Sequence, residues 1–421
     1  MMASGTDQRS VLQMRVWLIQ PSEQLPSSSD VRKLRTRRLA EELSRRGHEV
    51  VWWASCFNHL RKQWHFTSDT TFEPIPGVTI HALKGIGYSR NVSIRRLIDH
   101  RLLARKFRDR AKRAPRPDIV VTSLPPHDLA AEAVRSAKQH GAKAVVDIRD
   151  KWPDNLIDVL PKVVHPWGRL ILTSGFAKRD YALREADLLL SMTEPLLQWG
   201  LRIANRTRTV QDRVFYLGAS SEMNSAPGTE VQKLVRDRLK GRFVIAFVGT
   251  FSTYHNPEAM IEAAHRLKHR DDLVWVLMGS GDLGQQLRKK AHDLPNVIFT
   301  GWLDSSEIST VLRHSHLGLC TSGKRSEKEF LPNKVFSYLA EGLPIGSTFD
   351  GELRELITTR CLGFNFTTSD QLADEILSLA GSPLRHGAIR EAAQQFFKAH
   401  CEAGAIYRQY ADTLEELSGD D

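Results

Sequence analysis

The sequence predicts an α/β protein of two tandem Rossmann-like domains with an interdomain cleft, and three observations predict it. Apolar runs of strand length alternate with helical patterns along nearly the whole chain. The alternation is interrupted once, at 217–230 (LGASSEMNSAPGTE), a stretch of Gly, Ser, Asn and Pro with few apolar residues, and then restarts. At 421 residues the chain is long enough for two or three domains. The expected division is an N-terminal domain over 14–216, a linker over 217–240, a second domain over 241–400, and a terminal helix over 401–421 placed to pack back on the first domain.

Residues 14–20 (MRVWLIQ) read as a buried first strand, followed by a loop rich in Pro and Ser. Asp30 is expected to cap a helix that runs to about Arg46, where Gly47 stops it before a second strand at 50–54. Further strands are expected at 78–83, 118–122, 144–148 and 187–191, with helices near 127–140, 166–184 and 194–204. After the linker, strands at 242–248, 273–278, 297–300, 317–320 and 344–347 alternate with helices from about 257 and near 282–293, 304–314, 332–341 and 370–380. This spacing favours parallel sheets covered on both faces.

Lys and Arg outnumber Asp and Glu by 59 to 49, a net charge of +10, which suits an anionic partner. Cys56, Cys320, Cys361 and Cys401 form no CxxC pair, which argues against a disulfide framework or structural zinc and for a reducing compartment. No apolar run is long enough to span a bilayer, and the opening MMASGTDQRS has no apolar signal core. A cytoplasmic protein is expected. One segment, 90–116, carries eleven Lys/Arg against two Asp, with Ile94, Leu97, Ile98, Leu102 and Phe107 on one helical side. It reads either as a peripheral element drawn to an anionic membrane surface or as a solvated helix packed on its own sheet. No aromatics are interleaved for base stacking, so nucleic acid is not an expected partner.

The chemistry concentrates in 324–346 (KRSEKEFLPNKVFSYLAEGLPIG). Pro332 suits the first turn of a helix, where its missing N–H loses no bond. The amides after it, with Lys334 beside them, make a site for an anion. Glu329, four residues before Asn333, is placed to accept from sugar hydroxyls, so phosphate and sugar together point to a nucleotide-sugar. In the first half, two loops follow strand ends: SLPPHDL, with His127, and Arg149-Asp150-Lys151-Trp152-Pro153-Asp154. Gly279-Ser280-Gly281-Asp282-Leu283-Gly284 matches a dinucleotide fingerprint. It follows the second strand of its domain rather than the first, so it reads as a tight strand–helix turn. No acidic pair sits at a strand end, and no metal is expected.

The order of RRGHEV (45–50), FNHLRK (57–62), IRDKWPD (148–154), FVGT (247–250), VLMGSGD (276–282), NVIFTGWLD (296–304) and LPNKVFSYLAEGLPI (331–345) resembles retaining glycosyltransferases of the GT-B fold, family 4, in their bacterial surface-polysaccharide branch. The resemblance implies an acid at each end of an E-x7-E pair; here Glu329 holds the first position and Ser337 the second. It implies a donor site of Gly249, Thr250, Gly281, Gly301, Trp302, Lys324, Arg325, Asn333, Lys334 and Ser337. The Arg and Lys that the family places after the first C-domain strand are missing from GTFSTYHNPEAM. The diphosphate then falls to Lys324, Arg325 or Lys334. Acceptor handling falls to Arg149, Asp150 and His127. The implied substrates are a UDP- or GDP-linked sugar and a glycan or polyprenyl-linked acceptor, with no cofactor. A nucleotide-sugar epimerase on the same fold and a non-catalytic sugar-nucleotide or polyanion binder are the alternatives.

Overall fold

The computed structural model describes residues 13–26, 33–158, 161, 164–219, 228–253, 255, 257–323 and 331–419. The chain divides into two compact units, one holding everything up to Phe215 together with the segment from Tyr407 onward, the other running from Tyr216 to Ile406.

The first unit contains β1 (Arg15–Ile19), α1 (Arg35–Arg45), β2 (Glu49–Ser55), β3 (Phe57–Asn58), β4 (Gln63–Trp64), β5 (Thr70–Ile75), β6 (Val78–Leu83) and α2 (Ile94–Ala111). It continues with β7 (Ile119–Leu124), α3 (His127–His140), β8 (Lys143–Ile148), α4 (Asp154–Asp158), α5 (His165–Ile171), α6 (Thr173–Glu185), β9 (Leu188–Ser191), α7 (Glu194–Ala204) and β10 (Arg213–Val214). Its main sheet has the order β10-β9-β8-β7-β1-β2-β6-β5, parallel except for β5 against β6. The central strands are apolar on both faces because helices cover both. Trp17 of β1, for instance, packs edge-on against Phe107 of α2 and His140 of α3.

The helix α1 begins at Arg35, with Leu34 at its N-cap and no side-chain cap; Asp30, expected there, lies outside the described residues. It stops where Gly47 turns to a φ of 89° and His48 N–H reaches back to Leu43 O at 3.1 Å. A split helix and an edge strand are among the departures from the sequence pattern. The helix expected over 166–184 is two, α5 and α6, parted at Leu172. The strand β5 was not expected, because Pro74 and Pro76 interrupt its pattern; Pro74 is tolerated because β5 is an edge.

The second unit contains α8 (Thr229–Leu234), β11 (Phe243–Val248), α9 (Glu258–Arg266), β12 (Leu273–Met278), α10 (Gly284–Lys290), β13 (Val297–Gly301), α11 (Ser305–Arg313) and β14 (Leu317–Cys320). Then follow α12 (Asn333–Ala340), β15 (Ile345–Ser347), α13 (Glu352–Thr359), β16 (Gly363–Asn365), α14 (Ser369–Gly381), α15 (Pro383–Phe396) and α16 (Ala403–Gly419), whose greater part belongs to the first unit. The sheet order is β13-β12-β11-β14-β15-β16, every pair parallel. Two apolar clusters, one on each face, form its core. In both units the strand order reverses beside the first strand of the unit, between β1 and β7 and between β11 and β14. In such sheets the crevice beyond the strand ends at that reversal is where ligands bind. Among the described residues no helix is long and apolar enough to cross a membrane.

Candidate functional site

At the reversal in the second unit, the geometry is set by Tyr338. Its ring lies flat over Gly318, where an added Cβ would stand 2.5 Å away. Its hydroxyl accepts from Val248 N–H at 3.0 Å and donates to Leu319 O at 3.1 Å, so α12 is pinned to the ends of β11 and β14 together. One turn earlier on the same face stands Lys334. Its Nζ lies 4.0 Å from the centre of the Phe247 ring and 2.9 Å from where a Cβ on Gly249 would be. The side chain is 8% exposed, and among the described residues its Nζ has no hydrogen-bond partner. Burial pushes the ammonium down from 10.5 to about 8. An unpaired buried amine is costly; here it points at the glycine that follows β11.

The loops around it are knitted by backbone bonds. Gly249 N–H reaches Met278 O at 3.0 Å, Phe251 N–H reaches Ser280 O at 2.9 Å, and Gly279 N–H reaches Gly301 O at 2.8 Å. Gly279 and Gly281 hold φ of 140° and 159°, and a Cβ on either would enter the backbone of Gly249 or Phe251. The G-x-G-x-x-G match is therefore the turn from β12 toward α10, closed against the loop after β11. Thr250, Trp302 and Asn333 are exposed, Gly301 and Ser337 half-buried. Pro332 stands at the N-cap rather than in the first turn, leaving Asn333 and Lys334 as the first residues of α12. Lys324, Arg325 and Glu329 lie outside the described residues. Tyr338 escaped the sequence reading; its spacing of four from Lys334 was the available signal.

In the first unit, Arg149 turns inward. Its Nε donates to Asp147 at 2.9 Å, and its two terminal nitrogens reach Glu23 at 3.2 Å and the Thr36 hydroxyl at 3.0 Å. Asp147 is fully buried and also takes a bidentate pair from Arg35 at 2.8 Å. Burial alone would raise the Asp147 carboxyl, but Arg35 and Arg149 outweigh it and hold it below its usual range. The side chain of Asp150 accepts from Asn155 of α4.

His127 begins α3 and is buried, stacked on Trp152 at 6.4 Å, its Nε2 3.2 Å from Asp128 and its Nδ1 without a partner among the described residues. Burial opposes the charge on Asp128, but His127 and Lys178 bring its carboxyl down to about 2. A second imidazole, His100, packs edge-on to Trp152, with ring centres 6.2 Å apart. It is held neutral by burial and by Arg96, whose guanidinium lies 4.6 Å from the Trp152 ring. His100 and Arg96 were not singled out from sequence, since nothing local in 90–116 says which cations fold inward. Among the described residues no group of three or more His, Cys, Asp or Glu is arranged to hold a metal ion.

Residues 33–209 match the family model described as glycosyl transferase 4-like domain, and 242–382 match that of glycosyl transferases group 1. The chain is 29% identical over 121 residues to the UDP-glycosyltransferase TURAN of Arabidopsis thaliana, a match that takes in 28% of this chain and 26% of that protein. It therefore spans about a quarter of the length of that curated relative. Among solved structures it resembles Anabaena Alr3699/HepE in complex with UDP, with a TM-score of 0.65, 16% identity, and coverage of 96% of this chain and 100% of that one. It also resembles sucrose-phosphate synthase from Thermosynechococcus elongatus, with a TM-score of 0.68, 14% identity, and coverage of 97% and 100%. With one glycosyltransferase model on each unit and that fold along nearly its whole length, the chain belongs to the GT-B glycosyltransferases.

Proposed function

We propose that the protein is a retaining, family-4 hexosyltransferase that moves a sugar from a nucleoside-diphosphate sugar to a glycan or polyprenyl-linked acceptor in cell-surface polysaccharide synthesis, without a metal or cofactor. The observation that carries this reading is the buried Nζ of Lys334 at the strand reversal, without a hydrogen-bond partner among the described residues, beside Gly249 and the start of α12, which no described side chain caps. A cation and helix-end dipole fixed there meet the charge that builds on a departing diphosphate, which stabilises the transition state more than the ground state. UDP as the nucleotude carrier is supported by the Anabaena HepE structures in complex with UDP and with UDP-glucose.

In this scheme Glu329 holds the donor hexose, with Lys324 and Arg325 beside the diphosphate, while Ser337 contributes one hydrogen bond where relatives carry an acid. Gly249, Thr250, Gly281, Gly301 and Trp302 border the nucleotide. Asp150 and His127 orient the acceptor hydroxyl, and Arg149 holds their loop in place. The acceptor oxygen bonds to the anomeric carbon as the bond from that carbon to the phosphate oxygen breaks. Attack comes from the leaving-group side, and the hydroxyl proton passes to the departing diphosphate. The protein works in the cytoplasm, peripheral to the inner face of the membrane.

The test is release of nucleoside diphosphate from a panel of sugar donors, with and without polyprenyl-linked acceptors. Acceptor-dependent release from a UDP-sugar is the expected result. Conversion of the donor to an epimer with no acceptor present would overturn the transferase reading.

A further inference from the structure

The cations of 90–116 do not form one free basic face. Lys106 and Arg110 both close on Asp69, at 2.9 and 2.6 Å. Arg95 donates to the carbonyls of Gly87 and Ile86 at 2.8 and 2.9 Å, and Arg96 is buried. A different feature points outward. Of the twelve large hydrophobic side chains exposed among the described residues, six fall in two places: Val92, Ile94 and Ile98 at the start of α2, and Trp167, Leu170 and Ile171 on α5. Ile94, Trp167, Leu170 and Ile171 are each about two-thirds to three-quarters exposed, at 76%, 68%, 67% and 75%.

The two places adjoin. Leu97, between Ile94 and Ile98, packs on the small buried cluster of Trp152, Leu156, Ile157 and Leu172, and Leu172 directly follows α5. On α5 itself, Trp167, Leu170 and Ile171 follow the i, i+3, i+4 rule and share a side. Arg90 just before α2, Arg105 on α2 and Arg169 on α5 are exposed and carry no ion pair among the described residues. An apolar face this open, rimmed by unpaired cations, marks an interaction surface.

We propose that this face docks on an anionic phospholipid bilayer, with the apolar side chains of α5 and the start of α2 entering the boundary between headgroups and acyl chains. The proposal rests on the peripheral-membrane part of the reading above and names the surface responsible. A bilayer supplies both the apolar interior and the negative charge that the arginines need. Tryptophan is suited to that boundary. A second copy of the chain packed face to face would set arginine against arginine. The face also borders Trp152, the ring against which His127 and His100 lie, so an acceptor held in the bilayer would enter beside the acceptor residues.

The test is co-sedimentation of the full chain with vesicles of phosphatidylcholine alone and with a third of that lipid replaced by phosphatidylglycerol. The wild type is expected to bind the anionic vesicles and to release at high salt. Leu170→Ser with Ile171→Ser should lower the partition coefficient on the order of tenfold, and Arg105→Glu with Arg169→Glu should weaken binding to the anionic vesicles alone. Both double variants should keep wild-type circular dichroism and UDP titration. Equal binding of wild type and the serine variant would overturn the proposal. So would absence of wild-type binding, or self-association in sedimentation velocity that the serine substitutions abolish. Failure of the transferase reading would look different: no acceptor-dependent diphosphate release, with vesicle binding intact.

Discussion

Lys334 is a buried amine that meets no anion among the described residues. A charge-assisted hydrogen bond to a diphosphate is worth about 1.5–3 kcal/mol, or about tenfold to a hundredfold in affinity. Lys334→Met keeps the stem and removes the charge, so UDP binding by calorimetry should weaken by that factor while the thermal midpoint stays level or rises. The pH dependence has a definite sign. Burial depresses the folded value to about 8 from 10.5, so between those values the unfolded chain binds more protons and the free protein gains stability as pH rises. Donor affinity should fall over the same range, because the neutral amine no longer meets the phosphate charge. At the sugar, Glu329→Ala should cost far more turnover than Ser337→Ala; equal losses would sink the assignment. Lys334 was legible because its sequence neighbours announce a helix start. The inward turn of Arg149 was not: its partners Glu23 and Thr36 lie 126 and 113 residues away, and no local pattern encodes a bond of that span.

What holds Lys334 in place belongs to the elements. Tyr338 joins α12 to β11 and β14 through one hydroxyl, and removing it leaves Val248 N–H and Leu319 C=O short of a partner. Tyr338→Phe should cost about 1–3 kcal/mol, seen as a fall of about 2–4 °C in midpoint per kcal/mol, and should weaken UDP binding because Lys334 rides on the same helix. A wild-type affinity in this variant would mean that Lys334 is positioned by something else. Gly281→Ala should also reduce UDP affinity, since φ of 159° and the Phe251 backbone both exclude a side chain. The strands that frame this site were readable because buried parallel strands are continuous apolar runs. The edge strand β5 and helix α15 were not, because their residues are largely exposed or half-exposed and their pattern is weak, and the strands β3 and β4 were not, because two residues are too short to show a period.

On the scale of the whole molecule, the chain returns to its first unit at the end. Tyr410 stacks on Phe215 at 4.9 Å and lies 5.2 Å from the Arg35 guanidinium, which also donates to Phe215 O. Arg46 pairs with Asp412 and Glu415 at 2.6 and 2.9 Å, and Glu415 is 2.9 Å from His48 Nε2. Tyr407, Tyr410, Ala411, Leu414 and Leu417 are all buried. Full burial of one large apolar side chain is worth about 1.5–3 kcal/mol, and a domain's total stability is about 5–15 kcal/mol. Losing four such side chains and exposing the Arg35–Asp147 pair therefore removes most of what keeps the first unit folded. A chain ending at Ile406 should lose one of its calorimetric transitions while the second unit keeps its own transition and its UDP binding. The surviving transition should lack part of the acid sensitivity of the intact chain: Asp147 is held below the usual carboxylate range, so its contribution is present above that range and is lost as pH falls through the depressed value. If both transitions persist in the shortened chain at their original midpoints, the last helix is not part of the first unit's core.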